Sequence, residues 1–232
     1  MQEVYDVPYK PYDLVQSGYL HGISKHPDLP LVDLFHLMHA IYKKEVGAYI
    51  RKKLPNYKLL AIDRPKPRGI KGCIEGGWKM ILVRNNITSE CIAVWSGVDN
   101  WETDIIKTIV YSFAAPEALI QEMGKCLEHW QEKFGYIGVF LGHSFGGYFV
   151  SRVKPESEWP GRWRITVNAQ EPLYEGKSLH FRCQGDLLSW VLNSRKKYWT
   201  LEDGSKGHSI KDLYHVIRDE GITWETIILR HS

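Results

Sequence analysis

The chain has 232 residues, of which 44% are hydrophobic and 25% are charged, a composition that excludes a fibre or a disordered polypeptide. Its formal net charge is only +3, and its two basic runs, 51–53 and 195–197, are short and far apart. We therefore expect no nucleic-acid partner and at most peripheral contact with a membrane. Four cysteines without a CxxC pair, no Sec-type signal and no long apolar stretch favour reduced thiols and a cytoplasmic location. One disulfide, and export by a signal-independent route, are the alternatives.

The N-terminal part predicts an irregular arm followed by one helix. Residues 1–27 are rich in Tyr, Pro, Gly and His and show no regular period. Between residues 31 and 54, apolar side chains recur at spacings of three and four, which predicts an amphipathic helix that ends before Pro55.

After Pro55 the pattern changes to short apolar or β-branched runs that alternate with helical periods. The predicted strands cover residues 57–62, 78–83, 91–95, 136–141, 163–168 and 179–184. The predicted helices cover residues 115–134, 145–153 and 210–217. Asn85-Asn86 predicts a hairpin turn between the second and third strands. This order predicts a single α/β domain over residues 1–232, in which the N-terminal arm and helix (1–56) precede a core (57–232) with a mostly parallel sheet flanked by helices.

The turn Gly142-His143-Ser144-Phe145-Gly146 lies between a predicted strand and a predicted helix. Serine is a weak nucleophile, so it needs a neighbouring base and an exposed, fixed position. A sharp strand-to-helix turn supplies that position and requires small residues two before and two after the serine. The pattern predicts Ser144 as a nucleophile, the alternative being a glycine-rich turn that binds a phosphate or nothing. Because adjacent residues in a turn point apart, we expect His143 to serve in local packing or hydrogen bonding.

The segment 142–147, Gly-His-Ser-Phe-Gly-Gly, resembles the nucleophile turn of the class 3 (triacylglycerol-type) lipases and their bacterial relatives. Residues 93–101, followed by Thr103-Asp104, resemble the strand and Arg-Gly-Thr-type turn of the same family. The resemblance spans residues 57–215 and implies an α/β-hydrolase fold. It also implies an oxyanion hole made by the backbone N–H groups of Val98 and Phe145. The family usually has Ser or Thr where this chain has Val98, so the hole would depend on the backbone alone.

The α/β-hydrolase fold uses the chain order Ser, acid, His, which directs the search for the other two groups. Asp186 follows a predicted strand and a glycine, so we expect it to be the acid. Its alternative role is that of a helix N-cap. Glu171 is the rival candidate for the acid. His208 lies in a glycine-flanked loop before a predicted helix and is the expected base. His215 and His231 are the alternatives.

Two further features carry no chemistry in this interpretation. Asp33, His36 and His39 could present metal ligands on one helix face, but no matching third cluster occurs, so we expect polar residues at the helix border, no metal and no cofactor. The apolar segment 105–113 is either a lid or acyl-pocket wall, or a core helix.

The sequence thus predicts a serine hydrolase that cleaves carboxylic esters through an acyl-enzyme on Ser144. Apolar residues near the site favour a lipid, a lysophospholipid or a medium-chain ester. Two alternatives remain open: an acyltransferase with the same Ser144, Asp186 and His208 triad, and a non-catalytic module of the hydrolase fold that binds a partner or lipid.

Overall fold

The computed structural model describes residues 26–64, 79–97, 116–154, 157–169, 177–183, 199–201 and 209–224. Nearly all of the predicted arm 1–27, and the whole segment 105–113, lie outside these ranges.

Seven strands in the described ranges form one sheet, in which they lie in chain order. They are β1 (Tyr57–Asp63), β2 (Met80–Asn85), β3 (Cys91–Trp95), β4 (Ile137–His143), β5 (Trp163–Val167), β6 (Lys177–Cys183) and β7 (Trp199–Leu201). Strands β1, β2 and β3 pair antiparallel, whereas each strand from β3 to β7 is parallel to the next. The predicted mostly parallel sheet is therefore confirmed, as is the hairpin between β2 and β3.

Helices cover both faces of this sheet. They are α1 (Leu31–Ala40), α2 (Val46–Lys53), α3 (Pro116–Phe134), α4 (Phe145–Val150) and α5 (Ile210–Asp219). Helices α1, α2 and α5 share one hydrophobic core with one face of the sheet, and α3 and α4 share a second core with the opposite face. Every residue of β3 and β4 is buried, as a parallel strand covered on both faces requires. Each large apolar side chain buried in this way stabilises the fold by about 1.5–3 kcal/mol.

The predicted helix over residues 31–54 is wrong in one respect, because the structure has two helices there. Helix α1 ends at Ala40 and α2 begins at Val46. The carbonyl oxygens of Ile41 and Lys43 accept hydrogen bonds from Lys79 Nζ, at 2.7 and 3.4 Å. This contact from a distant part of the chain takes carbonyl groups that a continuous helix would pair within itself.

Three smaller findings complete the description of the fold. Strand β7 is an element that the sequence pattern does not predict, since it is only three residues long. Cys91 and Cys126 are free thiols, and Cys91 is buried in β3. Among the described helices, none has both the length and the apolar character to cross a lipid bilayer.

Candidate active site

A single residue, Ser144, separates β4 from α4. Its backbone has φ 57° and ψ −127°, on the left-handed side where non-glycine residues are strained. Its N–H donates to the Val167 carbonyl at 2.9 Å, and its own carbonyl accepts from the Gly147 N–H at 2.9 Å. The turn predicted from the sequence is therefore present, and the serine in it is held in a strained conformation from both sides.

The glycines around Ser144 are required by backbone crowding. A Cβ atom on Gly142 would lie 2.5 Å from the Gly146 carbonyl oxygen, and one on Gly146 would lie 2.5 Å from the Trp95 carbonyl oxygen. These neighbours are backbone atoms of the sheet and of α4, so they cannot move aside as a side chain would. This is the reason for small residues two before and two after the serine.

The residues that follow β3 pack directly against Ser144. Trp95, the last residue of β3, is paired in register with Gly142 of β4. A Cβ atom on Gly97 would lie only 2.7 Å from Ser144 Cβ. Consequently Ser96 and Gly97 form one wall of the site. The next residue, Val98, lies outside the described residues.

A tyrosine from the N-terminal part of the chain joins these two segments. The Gly97 N–H donates to the Tyr42 hydroxyl at 2.5 Å. That hydroxyl is also hydrogen-bonded to His143 Nδ1 at 2.7 Å, with the two rings edge to face. The tautomer of His143 decides which of the two groups donates in this bond. The expected role of His143 in local hydrogen bonding is confirmed.

A second left-handed residue lies at the same edge of the sheet. Asn168 directly follows β5, has φ 50° and is fully buried. Its N–H donates to the Phe181 carbonyl at 2.8 Å, which fixes the end of β5 against β6. Parallel sheets bind ligands at the carboxyl ends of their strands, which is the edge where Ser144 lies.

His36 and His39 are not polar residues at a helix border, and that prediction is wrong. They are 8% and 6% exposed, because α5 covers this side of α1. The His36 ring stacks on Tyr214 of α5 at 4.2 Å, and its Nε2 is hydrogen-bonded to the Tyr49 hydroxyl at 3.0 Å. Burial, aided by nearby cationic groups, lowers the pKa of each histidine to about 4. In the ranges that the structure describes, no three His, Cys, Asp or Glu side chains form a cluster that could hold a metal ion.

The predicted site residues divide into two groups. Ser144 and Phe145 lie at the turn, and Phe145 is the first residue of α4. His215 is half-buried on α5, with its ring 6.5 Å from that of His39. Five others lie outside the described residues and stay predictions: Val98, Glu171, Asp186, His208 and His231.

Comparisons with known proteins give likenesses of structure. No protein-family model matches the chain, and no curated protein matches it either. A solved structure of the Lip2 lipase of Yarrowia lipolytica aligns at 12% identity and a TM-score of 0.48 over 69% of this chain and 72% of the lipase. The nonglycosylated form of Lip2 aligns at 12% identity and a TM-score of 0.49 over 75% of this chain and 75% of the lipase. A lipase of Rhizopus microsporus var. chinensis aligns at 10% identity and a TM-score of 0.47 over 69% of this chain and 67% of the lipase.

All three TM-scores are below 0.5. The geometry of the chain itself decides the fold. A mostly parallel sheet has helices on both faces, and its strand β4 turns sharply through one strained serine into a helix. A sharp turn from strand to helix at a strained serine is a feature of the α/β-hydrolase fold. The chain therefore has the α/β-hydrolase fold that the sequence predicts, with Ser144 at the turn between β4 and α4.

Proposed function

We propose that this protein is a serine hydrolase that cleaves carboxylic esters, with Ser144 as the nucleophile. The observation that carries the proposal is the backbone of Ser144, with φ 57° and ψ −127° between a buried strand and a helix. Such a conformation costs about 1–3 kcal/mol and persists only where the surroundings impose it. A turn that merely connects two elements gains nothing from that strain, whereas a nucleophile gains a fixed position. Ser144 is 8% exposed, so it is more buried than the sequence predicts.

The order of elements supports His208 as the base and Asp186 as the acid. Strands β6 and β7 are parallel to β4, so the segments that follow them start at the same edge of the sheet as Ser144. Asp186 comes three residues after the last residue of β6, and His208 lies in the segment between β7 and α5. His208 directly precedes Ser209, whose side chain caps α5. Glu171, His215 and His231 remain the alternatives.

For the oxyanion hole we propose the N–H groups of Phe145 and Val98. In this fold, the residue after the nucleophile supplies one donor and a loop after a neighbouring strand supplies the other. The close approach of Gly97 to Ser144 supports this choice, because Val98 directly follows Gly97. Each such donor contributes about 2.7–4 kcal/mol to transition-state stabilisation.

These residues define a two-step reaction. Ser144 Oγ attacks the ester carbonyl carbon while His208 takes its proton, and Asp186 stabilises the protonated ring. The tetrahedral oxyanion collapses, the C–O bond to the alcohol breaks, and His208 protonates the leaving alcohol. Water, deprotonated by His208, then attacks the acyl-enzyme and releases the carboxylic acid. We expect apolar acyl groups, of a lipid or medium-chain ester, to be preferred.

The test is hydrolysis of p-nitrophenyl acetate, octanoate and palmitate by the wild type and by Ser144→Ala. We expect turnover in the wild type only, and a faster reaction with octanoate than with acetate. Equal rates for the two proteins would refute ester hydrolysis by Ser144 and support the alternative of a non-catalytic binding module. Adding a primary alcohol separates the acyltransferase from the hydrolase, since a transferase forms the new ester in preference to the free acid.

A further inference from the structure

Tyr42 connects two segments of the site that are distant in sequence. It is separated by 55 residues from Gly97 and by 101 residues from His143, and its hydroxyl is hydrogen-bonded to both. Tyr42 itself lies in the connection between α1 and α2, outside the region that resembles a known family. A single phenol oxygen thus joins the loop after β3 to the residue before Ser144.

The backbone around Tyr42 is fixed from both sides by Lys79, which is 4% exposed. Its Nζ donates to the carbonyl oxygens of Ile41 and Lys43, the two neighbours of Tyr42, at 2.7 and 3.4 Å. Its backbone N–H donates to Ser96 Oγ, and its carbonyl accepts from the Ser96 N–H, both at 2.9 Å. Lys79 therefore holds the backbone on both sides of Tyr42 and also holds Ser96, the residue before Gly97.

The bond from Gly97 to Tyr42 has a consequence for the oxyanion hole. With the Gly97 N–H bonded to the tyrosine, the proposed second donor of the oxyanion hole is the N–H of the following residue, Val98. A Cβ atom on Gly97 would lie 2.9 Å from the Tyr42 oxygen and 3.0 Å from the His143 carbonyl oxygen, so little room exists for another arrangement.

We propose that Tyr42 is a positioning residue of the ester-hydrolase site, whose hydroxyl holds the oxyanion-hole loop after β3 in place against the Ser144 turn. The inference rests on the proposed function and deepens it. In this role Tyr42 acts on the reaction only through the loop after β3. Its effect is on stabilisation of the transition state, and substrate binding in the ground state does not depend on it.

The experiment compares Tyr42→Phe with the matched control Tyr49→Phe. Both tyrosines are half-buried and each has a hydroxyl bonded to a buried histidine; for Tyr49 this is His36 Nε2, at 3.0 Å. Tyr49 lies on α2 and packs against the His36 and His39 rings of α1. The readouts are kcat and KM for p-nitrophenyl octanoate in buffer without urea. A urea titration of each protein checks that it is folded under these conditions.

We expect Tyr42→Phe to lower kcat by about tenfold to a hundredfold with KM nearly unchanged, because a small displacement of a catalytic group has an effect of this size. Tyr49→Phe should keep the kcat of the wild type although it loses a comparable hydrogen bond. An unchanged kcat in Tyr42→Phe, or an equal loss in both variants, would overturn the proposal. If the wild type has no activity that depends on Ser144, the proposed function fails, and the role of Tyr42 fails with it.

Discussion

The backbone N–H of Ser144 is hydrogen-bonded to the carbonyl oxygen of Val167, at 2.9 Å. Ser144 follows β4 and Val167 ends the neighbouring β5, so the bond extends the pairing of the two strands by one residue into the turn. The strained φ of 57° is therefore imposed on the backbone by the sheet. It should persist when the side chain is changed.

This relationship predicts a difference between two inactive variants. Ser144→Ala keeps the strain, because alanine has a Cβ atom as serine does, whereas Ser144→Gly removes it. Strain of about 1–3 kcal/mol is partly offset by the greater freedom of glycine in the unfolded chain. We expect Ser144→Gly to have a free energy of unfolding about 1 kcal/mol higher than that of Ser144→Ala in urea titrations. A glycine variant that is the less stable of the two would show that the backbone at Ser144 carries no strain.

Gly146→Ala should damage both the fold and the site. The new Cβ atom would lie 2.5 Å from the Trp95 carbonyl oxygen and 2.6 Å from that of Ser96, so α4 and β3 must separate. Overpacking of this kind costs about 1–3 kcal/mol. We expect a loss of stability in this range, together with loss of esterase activity.

The control for this variant is Gly124→Ala in α3. There the new Cβ atom would meet only the flexible end of the Lys154 side chain, at 3.3 Å. Alanine in a helix interior stabilises by about 0.5–1 kcal/mol over glycine, so this variant should be at least as stable as the wild type and equally active. If Gly146→Ala behaves in the same way, the crowding at the turn is not as the structure shows it.

The contact between α1 and α5 predicts a loss of stability in acid. The pKa values of His36 and His39 are lowered from 6.5 to about 4, first by burial and then by surrounding cationic groups. These groups are Lys43, Lys53, Lys211, His215 and Arg218. Between pH 6.5 and 4 the unfolded chain binds more protons than the folded one, so stability falls as the pH falls through this window. We expect the urea midpoint to decrease over it.

The double variant His36→Gln/His39→Gln isolates this effect, since it removes both groups from the titration. Its urea midpoint should depend less on pH between 6.5 and 4 than that of the wild type. The control is His129→Gln, at an exposed position on α3. Asp33, also on α1, acts in the opposite direction because burial raises the pKa of its carboxyl, and it is unchanged in all three proteins. Parallel curves for the double variant and the wild type would exclude the two histidines as the source.

The choice of base and acid predicts a ranking of variants. We expect His208→Gln to lower kcat/KM by at least about a thousandfold, because Ser144 loses the group that takes its proton. Asp186→Asn should cause a loss of similar size through the orientation and charge of the imidazole ring. His215→Gln, His231→Gln and Glu171→Gln should remain close to the wild type in the same assay. A large loss in one of these three would reassign the triad to that residue.

Six of the seven strands in the described ranges, β1 to β6, and the turn are predictable from the sequence because their signals are local. The apolar run before Gly142 predicts the strand, and the two glycines around Ser144 predict the turn. Neither prediction needs information from other parts of the chain. Strand β3 has the predicted bounds, Cys91–Trp95, since its apolar run is closed at both ends by polar or glycine residues. Such elements depend on the pattern of apolar and polar residues and on turn residues, both of which lie within a short stretch of sequence.

The features that escape prediction depend on distant contacts. The helical spacing of α1 continues through Ile41, Tyr42 and Val46. However, Lys79 Nζ donates hydrogen bonds to carbonyl groups that a longer helix would pair within itself. The burial of His36 and His39 depends on α5, at the other end of the chain. The link from Tyr42 to Gly97 and His143 has no pattern in sequence, because a phenol hydroxyl can bond to any nearby donor or acceptor.

The most direct test of the central claim is reaction of the folded protein with a fluorophosphonate, followed by intact mass measurement. An activated serine attacks phosphorus, releases fluoride and retains the phosphonyl group. We predict that the wild type gains the mass of one phosphonyl group on Ser144, and that Ser144→Ala gains none. A folded wild type that remains unmodified, or a Ser144→Ala variant that is modified to the same extent, would contradict the assignment of Ser144 as the nucleophile.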